Sequence, residues 1–158
     1  MKVKLNTIAS LVLLNACAGI PKPEGTVKLD SQVYVTYRGT PNQDAQIKAI
    51  IEEARRYAHD NCGVVLPCFW YESLPDKFNC GDIEGVAGCY PIHGACVMSY
   101  IHNDDIVASS MPHETMHYIF AMCGWDGGGP IKHSEDFYTK LNDFKTQIAE
   151  RLFLDGTR

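Results

Sequence analysis

The sequence predicts a small α+β domain, in which one helix carrying a His/Glu motif packs with a short mixed sheet and the loops are stapled by disulfides. Three observations lead there. Val33-Tyr34-Val35-Thr36-Tyr37 alternates with β-branched and aromatic residues, as a strand does. Ile47, Ile50, Ile51, Ala54, Tyr57 and Ala58 then recur at helical spacing, as do Phe137, Leu141, Phe144, Ile148 and Leu152. Between these segments, residues 72–94 are rich in glycine and proline and contain Cys80 and Cys89, which suits loops or a short hairpin held by cystines.

Taken in order, Arg38-Gly39 ends the first strand. Thr40-Pro41-Asn42-Gln43 predicts a helix start, with Thr40 as cap, Pro41 in the first turn and Gln43 completing a capping box. Asn61-Cys62-Gly63 stops that helix. Val64 to Tyr71 predicts a second strand, bent or ended near Pro67, and Cys96 to Ile101 another. The motif helix follows and stops at Gly124. Trp125 to Pro130 contains three consecutive glycines and reads as a loop before the last helix.

The amino-terminal residues read as a targeting segment. Lys2 and Lys4 are basic, and an apolar run through Ile8 and Leu11-Val12-Leu13-Leu14 is shorter than the roughly 20 residues that span a bilayer. Leu14-Asn15-Ala16-Cys17 resembles a bacterial lipobox, which implies cleavage before Cys17 and lipid attachment to its sulfur. An ordinary secretory signal is the plainer alternative. Ala18, rather than Asp, after the cysteine favours the outer membrane of a Gram-negative cell envelope. The expected organisation is a signal peptide over residues 1–16, a lipidated cysteine and tether over 17–30, and one domain over 31–158.

Removing 16 residues from 158 leaves 142, enough for one core. Without Lys2 and Lys4 the chain carries 12 basic side chains against 19 acidic, a net charge of −7. A chain this acidic has no electrostatic case for nucleic acid. With Cys17 lipidated, Cys62, Cys68, Cys80, Cys89, Cys96 and Cys123 remain, an even set that in an exported protein predicts up to three disulfides. Fifteen pairings are open. No C-x-x-C pair occurs, which weakens a cysteine-ligated zinc site as the rival use.

His113-Glu114-Thr115-Met116-His117 reads H-E-x-x-H, the motif of zinc-dependent peptidases. Residues four apart share a helix face, so both imidazoles can reach one ion, with Glu114 beside them to take a proton from a metal-bound water. A catalytic zinc site takes three protein ligands, so a third is needed. The metzincin pattern requires Gly and His where this chain has Phe120 and Cys123, and is excluded. His133, at the start of the final helix, is the leading candidate. Asp126, Glu135 and Asp136 stay open, although acids at a helix start have their own use. His59 closes a helix, and His93 and His102 flank a strand, where surface histidines are ordinary.

His113, Glu114, His117, His133 and Phe137 together resemble the SprT-like zinc peptidases, over about residues 110–145. The resemblance implies a zincin-like fold, Zn2+ on His113, His117 and His133, and Glu114 as catalytic base. It carries no DNA-linked role here, given the acidic, exported chain. Pro112 departs from the zincin habit. It fits if the helix begins there, with Pro112 at N1 and Glu114 at N3. Tyr138 and Tyr100 are candidate oxyanion donors, though each has an ordinary use in core or surface. The expected function is a lipid-anchored zinc metallopeptidase acting on a peptide or protein. The alternative is a catalytically inactive zinc-binding or interaction lipoprotein on the same fold, and a disulfide-rich lipoprotein without metal is a third reading.

Overall fold

The computed structural model describes residues 22–90, 97–125 and 133–156. Two features of the sequence govern the layout: β-branched and aromatic runs, and helix-periodic apolar faces. Strands β1 (Thr26–Asp30), β2 (Val33–Tyr37), β3 (Phe69–Leu74), β7 (Val97–Ile101) and β6 (Gly88–Cys89) form one sheet in the order β1-β2-β3-β7-β6. β2, β3 and β7 run parallel, while β1 and β6 join antiparallel at the two edges. β4 (Phe78–Cys80) and β5 (Ile83–Val86) make a separate hairpin. The helices are α1 (Asp44–Cys62), α2 (Met111–Cys123) and α3 (Glu135–Leu154). The expected α+β class with a mixed sheet is what the chain adopts.

Alternation along the strands separates the two faces. Val33, Val35, Phe69, Tyr71, Met98 and Tyr100 point into one core with the apolar faces of all three helices. Tyr34, Cys68 and Trp70 form a smaller cluster on the other face, where Trp70 Nε1 donates to Thr36 Oγ1 at 3.1 Å. Ile47, Ile50, Ile51, Ala54, Tyr57 and Ala58 on α1, and Phe137, Leu141, Phe144, Ile148 and Leu152 on α3, are all buried, as their spacing predicts. Gly63 and Gly124 close α1 and α2 in the left-handed conformation, at φ 71° and 68°.

Several boundaries move. Residues 26–30, assigned to the tether by sequence, form β1 and pair with β2. α1 starts at Asp44, because the expected capping box is engaged elsewhere. Thr40 Oγ1 donates to Ser73 Oγ at 2.9 Å, and Gln43 Nε2 donates to the Asn103 carbonyl at 2.8 Å. The Tyr37 hydroxyl instead organises this end, accepting from Gln43 N–H at 3.0 Å and donating to Asp44 at 2.6 Å. The second strand begins at Phe69, beyond Pro67, since its ladder partner β2 sets the register Val33 to Phe69. α2 begins at Met111, one residue before Pro112, which still falls in the first turn where its missing N–H matters least.

Two disulfides bridge described residues. Cys62–Cys123 ties the end of α1 to the end of α2, and Cys80–Cys89 ties the β4–β5 hairpin to β6. Cys68 is disulfide-bonded as well. Cys17, Cys96, His93, Asp126, the leader and most of the glycine loop lie outside the described residues. Among the described residues, no helix is long and apolar enough to cross a membrane.

Candidate metal centre

α2 and α3 meet so that three histidines converge. His113 and His117 lie one turn apart on α2, and His133 immediately precedes Ser134, the N-cap of α3. Ser134 is an effective cap: its hydroxyl accepts from Phe137 N–H at 3.1 Å while its backbone is extended, which fixes where His133 enters the helix. Phe137, one turn further on and fully buried, packs beneath the rings of His113, His117 and His133 at centroid distances of 5.2, 4.7 and 5.2 Å. The fold therefore clamps three imidazoles on one aromatic platform.

The three Nε2 atoms form a nearly equilateral triangle. His113 to His117 is 3.0 Å, His117 to His133 is 3.0 Å and His113 to His133 is 3.1 Å. Nitrogens so spaced can each stand about 2.0–2.1 Å from a common point about 1 Å outside their plane, the distance range of a Zn–N bond. Such a point has ligands on one side and leaves the other side open. His113 and His117 are half-buried and His133 is exposed, so the open side reaches solvent. Among the described residues this is the one group of three or more His, Cys, Asp or Glu gathered closely enough to hold a metal ion.

The electrostatics suit a cation. Burial pushes His117 down to about 3, helped by the neighbouring His113 and His133. Burial likewise pushes His113 down to about 4, with smaller contributions from His133 and Lys145. Both rings are therefore neutral at physiological pH and offer lone pairs, with N–H on Nδ1 when Nε2 faces the triangle. Three lone pairs converging at 3 Å are repulsive until a cation or proton sits among them.

Glu114, next to His113 in the first turn of α2, is buried at 6% exposure. Burial raises its carboxyl to about 8, offset in part by a hydrogen bond from the Tyr90 backbone N–H. A divalent ion in the triangle acts in the opposite sense, favouring the carboxylate. Gly88 on β6 lies directly against this side chain: a Cβ at Gly88 would stand 2.2 Å from Glu114 Oε1. Ser110, the N-cap of α2, makes no side-chain cap bond, and its hydroxyl donates to the Ala87 carbonyl instead.

Of the residues singled out by sequence, His113, His117 and His133 come together, and Glu114 is buried in the first turn of α2. Glu135 and Asp136 sit in the first turn of α3, where Asp136 pairs with Lys140. His59 contacts Asp60 at 3.1 Å, and His102 lies 3.4 Å from Asp104. Tyr100 is fully buried, with its ring edge-on to Tyr71 in the core. Its burial removes it from any solvent-facing oxyanion role. Tyr138 is exposed and its ring lies 5.8 Å from His133, so it borders the site. Sequence reasoning missed Gly88, Tyr90 and Ser110. Ser110 is the N-cap of α2, whereas Gly88 and Tyr90 are distant in the chain and the pairing of β6 with β7 brings them to the helix.

Comparison with protein-family models, curated proteins and solved structures finds no match to this chain.

Proposed function

We propose that this chain is an exported, lipid-anchored zinc metallopeptidase built on a zincin-like domain. The observation that carries the reading is the triangle of His113, His117 and His133 Nε2 atoms, 3.0–3.1 Å on a side. All-imidazole ligation with one open side suits zinc over a hard, oxygen-seeking cation such as magnesium or calcium. Zinc bound there supplies Lewis acidity toward a carbonyl oxygen and makes water more acidic. His113, His117 and His133 hold the ion, and Phe137 fixes the plane of their rings. Glu114 accepts a proton from the attacking water and delivers it to the departing amine. Disulfides on this scale accord with an oxidising compartment, as Leu14-Asn15-Ala16-Cys17 implies.

The test separates ligands from base. Purified protein is expected to hold one zinc per chain. His113→Ala, His117→Ala and His133→Ala should each weaken binding to a similar degree, because two remaining ligands hold the ion poorly. Glu114→Gln should keep the zinc and lose hydrolysis of an unstructured protein such as casein by about 10²–10⁴-fold. Full zinc affinity in His133→Ala would hand the third position to Glu135, Asp136 or Asp126. A zinc-loaded wild type no more active than Glu114→Gln would leave the non-enzymatic zinc-binding lipoprotein as the better reading.

A further inference from the structure

Residues 87–90 cross the start of α2 and touch it at successive points. The Ala87 carbonyl accepts from Ile101 N–H at 3.0 Å and from the Ser110 hydroxyl. Next, Gly88 pairs with Tyr100 of β7 and faces the Glu114 side chain. Cys89 pairs with Ser99 and is bridged to Cys80 on the β4–β5 hairpin. Tyr90 follows, with its ring 6.5 Å from that of His117 and 6.0 Å from that of Tyr118 on α2. A buried acid on a helix has freedom about several side-chain bonds. Here the short edge strand walls the side chain at Gly88, so closely that no Cβ fits between them.

Gly88 is the critical point of that wall. Its φ is not in the left-handed region, so backbone conformation does not require glycine there. Space does: an added Cβ would lie 2.2 Å from Glu114 Oε1, 2.8 Å from Cδ and 2.9 Å from Cγ. All three are atoms of one flexible side chain. The backbone of β6 is held by its ladder, by Ser110 and by the cystine, so the carboxylate is what must move.

We propose that β6 is the positioning element for Glu114, with Gly88 as the positioning residue and the Cys80–Cys89 bridge fixing the strand that carries it. The proposal rests on the peptidase reading for its catalytic consequence, but the contact itself can be tested without turnover.

The experiment compares wild type, Gly88→Ala, Glu114→Ala and the double variant. Thermal midpoints are measured on metal-free protein, and zinc content and casein hydrolysis on zinc-loaded protein. Gly88→Ala should retain one zinc per chain and lose hydrolysis on the order of 100-fold, because the base is displaced while the ligands stay. Its midpoint should fall in the wild-type background and recover when Glu114 is also alanine, since the added methyl then enters space the side chain has left. Failure of Gly88→Ala to fold, with the double variant folding, supports the same contact. Equal losses of midpoint in both backgrounds, or failure of both to fold, overturn the proposal, because the methyl would then be clashing with something other than Glu114. Undiminished hydrolysis in a folded Gly88→Ala overturns it too. If wild type hydrolyses nothing, the peptidase reading fails, and the midpoints still decide whether β6 constrains Glu114. Cys80→Ser/Cys89→Ser should lower hydrolysis with zinc content unchanged. Full activity in that variant removes the bridge from the device.

Discussion

Glu114 and its histidine neighbours respond to pH in opposite directions in the metal-free protein. His113 and His117 are held at about 4 and 3 when folded, against 6.5 when unfolded. Between those values the unfolded chain binds more protons, so this contribution to stability is present above 6.5 and is lost as pH falls toward 4. Glu114 is raised from 4.5 to about 8, so over that window the folded chain binds more protons. Its contribution is present below 4.5 and is lost as pH rises through 8. Glu114→Gln abolishes the second effect and leaves the first. In chelator, the urea midpoint of the variant should therefore gain on wild type progressively from pH 4.5 to 8. Parallel pH profiles for the two proteins would mean Glu114 is not desolvated as the fold implies. The H-E-x-x-H spacing made this cluster visible in one dimension, since a helix turn converts four residues into one face. Gly88 left no such trace, because the space that demands glycine is created by a strand placed there through long-range pairing.

The junction of α2 and α3 carries the site at the level of elements. Phe137 lies at the centre, in contact with all three histidine rings and with Phe120, 5.1 Å away. Phe137→Ala should destabilise the fold by roughly 3–5 kcal/mol, the usual loss for a buried phenylalanine. It should also weaken zinc binding, because the rings lose their common support. Denaturant unfolding measures the first and competition with a chromogenic chelator the second. An unchanged zinc affinity would show that the ring planes are fixed by other contacts. At the carboxyl-terminal end of α2, Cys62–Cys123 joins the ends of α1 and α2 across a sequence separation of 61. Replacing both with serine should cost about 2–4 kcal/mol, largely through the freedom returned to the unfolded chain. A midpoint unchanged in denaturant would argue that these thiols are not bridged in the purified protein. Both helix faces were legible from apolar spacing. The first turn of α1 was not, because Thr40 and Gln43 have capping chemistry but are drawn to Ser73 and Asn103, partners set by the sheet and the loop after β7.

For the whole molecule, the domain is an acidic, cystine-braced unit behind an amino-terminal segment with the pattern of a lipoprotein leader. If that leader is processed as proposed, mature protein begins at Cys17 and is membrane-associated in a bacterial host. Cys17→Ser should release it into the soluble fraction. Mass spectrometry of the amino-terminal peptide should find a lipid-modified cysteine. Unmodified Cys17, or cleavage at another bond, would count against the anchor. Thiol titration of the denatured, unreduced protein should find almost no free thiol. Two or more per chain would mean that the bridges seen at Cys62, Cys68, Cys80, Cys89 and Cys123 are incomplete in the exported form.

Sequence alone determined the class of fold, the apolar faces of α1 and α3, the terminating glycines and the pairing of His113 with His117 on one helix face. Each depends on neighbours within a few positions, where helix and strand periodicity are strong and chain entropy is small. Tertiary structure alone decided that the first disulfide joins α1 to α2, that β1 and β6 flank a parallel centre, and that His133 completes a triangle 3.0–3.1 Å on a side. Those are pairings across the chain, and many remain open until burial of the apolar faces selects one arrangement. The same packing lays Gly88 against Glu114, a contact of two residues with no shared pattern in sequence.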